Sequence, residues 1–406
     1  MRAWRGVVQL FVAVTAGVAV MLAGGEEDLR AKAHRLAGDL LIVDTHIDVP
    51  YRLYTRWIDL SVKRTTGDFD YVRAREGGLD LPFMSIYVPA ETEGTGRAKP
   101  IADSLIRLVR DMETRWPEKF RVVTSVQQVL ENQHTNRILL AMGMENGSPL
   151  EGELANVRYF YDKGIRYITL AHAKDNHLAD ASYDTLRRWN GLSPFGGRVV
   201  TEMNRVGVMV DVSHLSDSAF YQVLRLSRAP VIASHSSCRH FTPGFERNMS
   251  DEMIRLLASG GGVIQINFGS SFLRNDTRLQ EERYQKDVEK AVREHHWAQH
   301  SSDARAYEKK YRENHPYLFA SVADVADHID HVVKLVGIDY VGIGSDFDGV
   351  GDTTPRELRD VSCYPNVILE LLKRGYSDEA IEKICSGNLL RVWSMVERCA
   401  QEGRAK

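Results

Sequence analysis

The sequence predicts an α/β protein built as a TIM-like (β/α)8 barrel, with a helical insertion after strand seven and further C-terminal helices. Short apolar runs alternate with amphipathic stretches through most of the 406 residues, which is typical of repeated βα units. The apolar runs are nearly continuous, as expected for parallel strands that are covered on both faces. One elaborated barrel accounts for this length, so a single domain is the simplest interpretation.

Eight apolar runs are the candidate barrel strands, and several are bounded by glycine. They occupy residues 40–46, 83–88, 138–144, 167–171, 208–212, 231–234, 263–267 and 341–344. The stretches between them are helix-like, and Ser250 is a suitable N-cap for the helix before strand seven. Residues 273 to about 331 are too long and too charged for a simple connection, so we interpret them as a helical insertion over the barrel mouth. The run "VILELLKRGYSDEAIEKICSGNLLRVW" predicts a terminal helix pair.

The N-terminal region predicts export. Arg2 and Arg5 precede an apolar run over residues 7–23 and then small residues, which is the layout of a secretory signal peptide in residues 1–25. Because the run is close to the shortest length that spans a bilayer, an uncleaved N-terminal anchor is the alternative. Residues 26–406 are expected to form one domain in the periplasmic or extracellular space. The C-terminal "CAQEGRAK" lacks the apolar tail of a GPI signal.

Composition narrows the possible partners. Lys plus Arg number 52 and Asp plus Glu 55, with no basic run, so a nucleic-acid partner is not expected.

The cysteines contain no Cys-x-x-Cys pair, which argues against a thiolate zinc knuckle. Export would permit disulfides in any of three complete pairings, and free buried thiols are the alternative. The cysteines are Cys238, Cys363, Cys385 and Cys399.

Titratable side chains stand at the ends of six of the eight predicted strands. They are His46, Asp48, Glu145, His172, His214, His235 and Asp346. The C-terminal ends of barrel strands meet at one face, where the active sites of this fold lie. Imidazole and carboxylate groups suit zinc and similar divalent ions. His46 and Asp48 are two residues apart, so an extended chain directs both to one face.

The number of these ligand-type groups predicts two metal ions. Three histidines, one Asp and one Glu are too many for a single four-coordinate catalytic site that keeps an open position. A carboxylate has two oxygens, so Glu145 is suited to bridge two ions. A lone strand-end histidine is more often structural, and the prediction therefore depends on the whole set. Asp44 is expected to support a ligand or to form hydrogen bonds at the strand end, and Asp348 to share the role of Asp346 or to cap the following loop.

The remaining histidines of the charged insertion and its C-terminal end are predicted to be solvated and without function. They are His295, His296, His300, His315, His328 and His331.

Eight motifs in this order resemble the membrane dipeptidase (renal dipeptidase) family of zinc peptidases, in the metal-dependent amidohydrolase superfamily. They cover most of the chain from about residue 40 onward, and together they are highly specific. They read "VDTHIDVP", "GMENG", "ITLAHAKDN", "GLSPFGGRVVTEMNRVGVMVDVSHLSD", "SHSSCR", "RNMSDEMIRLLASGGGVIQINF", "VGIGSDFDG" and "GNLLRVW". The run "AKDNHLADASYD" departs from the Pro-Trp-Ala-Asp-Asn of some relatives, in a segment expected to form part of the pocket wall.

The resemblance implies a role for each site residue. His46 and Asp48 would bind one zinc ion, His214 and His235 the other, and Glu145 both. These are the implied metal ligands.

It also implies how substrate is handled. His172 would contact the substrate and stabilise the tetrahedral intermediate. Arg247 would hold the substrate's terminal carboxylate, and Asp346 would bind substrate and transfer protons. The family further implies a homodimer.

The expected function is therefore that of a binuclear zinc dipeptidase, which hydrolyses dipeptides with a metal-activated hydroxide. Dipeptides with a C-terminal D-residue are among the expected substrates. Another amidohydrolase reaction, on an N-acyl amino acid, lactone or cyclic amide, is one alternative. A non-catalytic binding protein is the other, and the complete ligand set argues against it.

Overall fold

The protein is described by a computed structural model that covers residues 25–133, 135–298 and 301–404. The predicted signal peptide or anchor, residues 1–25, lies outside these residues except for Gly25. Among the helices of the described ranges, none combines the length and the apolar character that crossing a membrane requires.

The described residues form nine strands, all paired in parallel. The strands are β1 (Ile42–Ile47), β2 (Leu79–Tyr87), β3 (Phe120–Val122), β4 (Ile138–Glu145), β5 (Ile165–Thr169), β6 (Met209–Asp211), β7 (Ile232–Ser236), β8 (Val263–Ile266) and β9 (Val341–Ile343).

Eight of the strands form the predicted barrel. Their order is β1-β2-β4-β5-β6-β7-β8-β9. The ends of β1 and β9 approach through the bridge between Ile47 and Phe347, where the Asp48 amide donates to the Phe347 carbonyl at 2.9 Å. The barrel is thus nearly closed, and the (β/α)8 prediction is confirmed. The short strand β3 was not predicted; it pairs with β4 outside the barrel order.

Helices surround the strands, and most lie where the sequence has amphipathic segments. They are α1 (residues 25–39), α2 (Val49–Thr55), α3 (Tyr71–Gly77), α4 (Ala98–Arg115), α5 (Val126–Asn132), α6 (Ala155–Asp162), α7 (Pro194–Val206), α8 (Asp217–Leu226), α9 (Asp251–Ser259), α10 (Ser270–Leu273), α11 (Asn275–Glu294), α12 (Ser302–Asn314), α13 (Val322–Val336), α14 (Tyr364–Lys373), α15 (Asp378–Glu382) and α16 (Asn388–Arg404). Ser250 caps α9 by accepting from the Met253 amide, as predicted.

Aromatic side chains fill the barrel interior beneath the site. Phe83 of β2 packs between Tyr167 of β5 and Trp393 of α16, with ring centroids 5.7 and 5.4 Å away. All three side chains are fully buried. Burial of such large apolar groups stabilises the strands from inside, and it fixes the position of the Tyr167 ring.

The predicted insertion follows β8, the seventh strand of the barrel, and contains α11 and α12. The two helices are joined by an ion pair of Arg312 with Glu281 at 2.7 Å. Glu281 and Gln285 of α11 line the same cavity as the strand-end residues. The insertion therefore forms part of the barrel mouth.

Two expectations about individual side chains are settled by the fold. All four cysteines are free thiols, and two of them, Cys238 and Cys385, are buried, so the second alternative holds in full only for these two. The prediction that His328 is solvated was wrong, because the ring is fully buried. Its Nδ1 accepts from the Cys238 amide at 2.9 Å, and Nε2 lies 3.1 Å from the Leu273 carbonyl. Burial lowers the pKa of His328 to about 4, so the ring is neutral at pH 7.

Candidate metal centre

The strand-end residues meet at the barrel mouth, around the carboxylate of Glu145. Glu145 Oε1 lies 3.1 Å from His214 Nε2 and 3.2 Å from His235 Nε2. Glu145 Oε2 lies 3.4 Å from His46 Nε2, which is itself 3.4 Å from Asp48 Oδ2. The two oxygens of one carboxylate thus face two different sets of ligand-type groups. This is the arrangement expected of a bridging ligand.

The other two predicted site residues on strand ends lie beside this cluster. His172 Nε2 is 3.6 Å from Glu145 Oε1. Asp346 groups with His46 and Asp48, with candidate ligand atoms within 4.8 Å of one another. Asp346 Oδ2 accepts from the Asn267 amide group at 2.7 Å. The structure therefore brings all seven strand-end residues together.

Hydrogen bonds behind His46 fix its tautomer. The Tyr167 hydroxyl donates to the Thr45 carbonyl at 3.0 Å, so its oxygen is free to accept from Nδ1–H of His46 at 2.8 Å. When His46 is neutral, its proton stays on Nδ1 and the lone pair is on Nε2, the nitrogen that faces Glu145 and Asp48. A histidine held in this way presents Nε2 as a metal ligand.

His235 is held by the same device. The Ser234 hydroxyl donates to Asp211 Oδ2 at 2.7 Å, so its oxygen accepts from Nδ1–H of His235 at 2.7 Å. The Nε2 lone pair of His235 then points into the cluster, 2.8 Å from Nε2 of His214. Asp211, Ser234 and Tyr167 were not predicted as site residues. The one sequence signal for Asp211 is an acid inside the apolar strand "VMVDV".

The charges of the cluster are unevenly distributed. Burial lowers the pKa of His235 to about 3, assisted by the positive charges of His46 and Arg247. The pKa of His46 instead lies well above its ordinary value, because the oxygens of Tyr167, Glu145 and Asp48 outweigh the effect of burial. The negative groups therefore favour positive charge at the position that His46 Nε2 faces.

Backbone strain also marks the site. His214 and Asp346 have φ values of 68° and 65°, in the left-handed region that non-glycine residues rarely adopt. Each such conformation costs on the order of 1–3 kcal/mol and persists only where the surroundings enforce it. Gly349 is required at the site for a steric reason, since a Cβ there would lie 2.2 Å from oxygens of both Asp48 and Asp346. Only glycine leaves room for these two carboxylates.

Asp44 and Asp348 lie just outside the cluster. Asp44 Oδ1 accepts from the backbone amides of His46 and Ser345, both at 3.0 Å, and Oδ2 accepts from the Tyr364 hydroxyl at 2.5 Å. Asp44 therefore joins the end of β1 to the segment after β9. Asp348 accepts from Arg52 at 2.6 Å, so its contacts differ from those of Asp346.

Arg247 is buried beside the histidines. Its guanidinium donates to Ser236 Oγ at 2.8 Å and to the His235 carbonyl at 2.7 Å. Nη2 also lies 3.0 Å from His214 Nε2. Together with burial, this positive charge lowers the pKa of His214 well below its ordinary value, so that ring is neutral.

A cavity of about 640 Å³ opens above the cluster. Residues of the cluster form its floor, and five aromatic side chains form much of its wall. Those aromatics are Tyr51, Tyr87, Tyr183, Phe272 and Tyr317. Tyr183 belongs to the segment that departs from the family pattern, and the structure places it in this wall.

The donor set fits a pair of divalent ions. His46 Nε2 and Asp48 Oδ1 are buried, and within the described part of the chain neither has a hydrogen-bond partner. A buried polar atom without a partner costs free energy, and a cation would satisfy both. Two His-rich sets that share Glu145 are consistent with a binuclear metal centre.

A candidate metal centre at the C-terminal mouth of a (β/α)8 barrel indicates the class, a metal-dependent enzyme. Comparison with known proteins defines the family. The sequence model of the family described as "Membrane dipeptidase (Peptidase family M19)" matches residues 30–406 of this chain. The chain therefore belongs to the membrane dipeptidase family, M19, and is a metallodipeptidase.

Individual relatives agree with this assignment. Dipeptidase 3 of Mus musculus is 32% identical over 383 residues, which are 92% of this chain and 68% of the mouse protein. The uncharacterized dipeptidase C965.12 of Schizosaccharomyces pombe is 31% identical over 381 residues, covering 88% of this chain and 81% of the yeast protein. Among solved structures, the probable dipeptidase PvdM from Pseudomonas aeruginosa has a TM-score of 0.81 at 28% identity, covering 92% of this chain and all of that one.

Proposed function

We propose that this metallodipeptidase holds two zinc ions and hydrolyses dipeptides that have a free C-terminal carboxylate. The observation that carries the proposal is the placement of Glu145, whose two oxygens face His46 on one side and His214 with His235 on the other. Zinc is the preferred ion because imidazole nitrogens and carboxylate oxygens are its usual ligands in hydrolases. His46 and Asp48 would hold one ion, His214 and His235 the second, and Glu145 both.

When bound, the ions would supply a polarised scissile carbonyl and a water of lowered pKa. Asp346 would move protons at this centre. Burial raises the pKa of Asp346, and the nearby negative charges of Asp48 and Glu145 raise it further. A carboxyl group whose pKa is raised in this way is suited to take a proton from the nucleophile and pass it to the leaving amine.

His172 would stabilise the transition state. Its imidazole borders the cavity, and burial lowers its pKa, so the ring is neutral at pH 7. A neutral imidazole donates one N–H, which would stabilise the oxyanion that develops on the substrate carbonyl. The edge contact of Tyr87, with ring centroids 5.0 Å apart, holds the His172 ring in place.

Arg247 would select for the free carboxylate. Three of its contacts, to Ser236, His235 and His214, fix the guanidinium at the edge of the centre. Its Nε is buried and has no hydrogen-bond partner among the described residues. A charge-assisted hydrogen bond from this group would favour short substrates that end at the centre.

The test combines metal analysis with a substrate panel. Purified protein should contain zinc, lose hydrolysis on chelation and regain it with Zn²⁺. Matched dipeptides with a free or an amidated C-terminus should differ, with the amide turned over at least tenfold more slowly. The panel should pair L-L with L-D dipeptides, since we propose that a C-terminal D-residue is also accepted. Equal turnover of acid and amide would exclude the carboxylate preference and favour a broader amidohydrolase reaction.

We also propose that the protein is exported, on the evidence of Arg2, Arg5 and the apolar run over residues 7–23. N-terminal sequencing of the exported protein distinguishes cleavage near residue 25 from a retained anchor. Light scattering of the same material would test the homodimer.

A further inference from the structure

A second group of metal-ligating side chains lies outside the lining of the cavity. It consists of His240, Asp251 and His331, and is called the surface triad below. One candidate ligand atom from each lies within 4.8 Å of the other two. The three residues come from separate parts of the chain, since His240 lies in the 3₁₀ turn Arg239–Phe241, Asp251 begins α9, and His331 lies on α13.

The geometry of the triad is compact. His331 Nε2 lies 2.8 Å from Asp251 Oδ1. The rings of His240 and His331 are stacked, with centroids 4.4 Å apart and an interplanar angle of 21°. Two imidazoles and a carboxylate are therefore close enough together to share one ion. His240 is exposed and the other two are partly buried, so water can reach such an ion and complete its coordination shell.

The triad contains one carboxylate that can attract a cation. The carboxylates of Asp251 and Glu252 in the first turn of α9 offset the positive end of the helix dipole. The nearest cationic neighbour in sequence, Arg239, is already held by both oxygens of Asp217, at 2.6 and 2.7 Å. Its charge is thus neutralised by a partner outside the triad.

The backbone that carries the triad is well ordered by hydrogen bonds. The amide of Arg239 donates to the Met249 carbonyl at 2.8 Å, and the amide of Met249 to the Ser237 carbonyl at 2.9 Å. These bonds close residues 237–249 into a loop between β7 and α9. Buried His328 joins the same loop to α13 by accepting from the Cys238 amide. The three ligands are therefore mounted on elements that already hold fixed positions, which lowers the entropic cost of binding an ion.

We propose that His240, Asp251 and His331 form a further divalent-metal site, open to water and structural in role, for zinc or a similar borderline ion. His240 and Asp251 stand on either side of the segment that carries Arg247, and His331 belongs to the adjacent helix. A bound ion would cross-link that segment to α13. The site is independent of the zinc pair proposed at the mouth.

The experiment counts bound zinc in the full-length protein. Wild type, His240→Ala and His331→Ala are equilibrated with buffered free Zn²⁺, and zinc per chain is measured by mass spectrometry. Each variant should hold one equivalent of zinc less than wild type at the free Zn²⁺ concentrations at which the triad binds its ion. His315→Ala, which removes an exposed histidine elsewhere, is the matched control and should bind as wild type does. Only the difference matters, so the outcome does not depend on how many ions the mouth holds.

A thermal melt supplies a second readout. Because ligands that bind the folded state raise the melting temperature, added Zn²⁺ should raise that of wild type more than that of His240→Ala. His240 is exposed, so its removal should leave the fold intact. Equal zinc content and equal melting shifts in wild type and both variants would overturn the proposal and leave Asp251–His331 as a simple ion pair. A one-equivalent loss in His315→Ala as well would overturn it too.

Discussion

The chain carries two clusters of imidazoles and carboxylates, and they are built differently. In the mouth cluster, His46 and His235 are fully buried, and a hydroxyl fixes the tautomer of each. In the surface triad, His240 is exposed and the one hydrogen bond among its members joins His331 to Asp251. Ligand types alone therefore do not separate a catalytic centre from a structural site. What separates them is burial and the groups behind the ligands.

Backbone strain and displaced pKa values are concentrated in the mouth cluster. The mouth cluster includes two residues with left-handed backbones, His214 and Asp346, and groups whose pKa values are displaced in opposite directions. The members of the surface triad have ordinary backbones by the same measure. Displaced pKa values and local strain are features of functional sites, so the two clusters should respond differently to mutation.

The largest expected effect is that of Glu145→Gln. One oxygen of the bridging carboxylate is replaced by an amide group that cannot bind a cation, so both ions of the mouth should bind weakly. We expect kcat/KM to fall by more than the roughly 10²–10⁴-fold typical of one acid–base residue. Zinc analysis should show loss at the mouth, while zinc held by the surface triad stays. Glu153→Gln, at an exposed position, is the control, and unchanged zinc and turnover in Glu145→Gln would show that this carboxylate bridges nothing.

Asp346→Asn should have the next largest effect. The variant keeps the shape and the contact with Asn267 but cannot transfer a proton, so turnover should fall by about 10²–10⁴-fold. Zinc content should stay that of wild type, which separates proton transfer from ligation. Asp352→Asn, in the exposed turn that follows, is the matched control. A parallel fall of zinc and turnover would instead make Asp346 a ligand of the His46–Asp48 side.

Tyr167→Phe should have the smallest effect of the three, because it changes a group behind a ligand. Removal of the hydroxyl leaves Nδ1 of buried His46 without its acceptor and makes the mouth cluster more like the surface triad. Loss of such a partner costs about 10–100-fold in metal affinity. A zinc titration against a competing chelator measures this, with exposed Tyr54→Phe as control. Affinity equal to that of wild type would show that the hydroxyl does not orient the ring.

The barrel could be predicted from the sequence because its strands are apolar runs of sufficient length. Strand β3 could not, since only Phe120 of "FRV" is buried, whereas every residue of the equally short β6 and β9 is buried. The prediction that His328 is solvated was wrong because it depended on the polar residues around His328 in the sequence. Its neighbours Asp327 and Asp330 mark a polar helix face, yet the ring turns inward to the loop after β7.

The candidate ligands could be predicted because strand ends converge in any parallel barrel, whatever the details of the side chains. The groups behind them could not. Tyr167 contacts His46 across 121 positions of sequence, and a tyrosine within a strand carries no sign of which ring it faces. Arg247 was found only through the resemblance to the dipeptidase family, because one arginine among many has no distinguishing pattern.

The central claim is that one carboxylate bridges two ions at the barrel mouth. The most direct measurement is an anomalous difference map from crystals of the zinc-loaded protein, recorded on both sides of the zinc absorption edge. We predict two peaks at the mouth, one contacting Glu145 together with His46 and Asp48, the other contacting Glu145 together with His214 and His235. A single peak at the mouth, or two peaks of which either lacks a contact with Glu145, would contradict the claim.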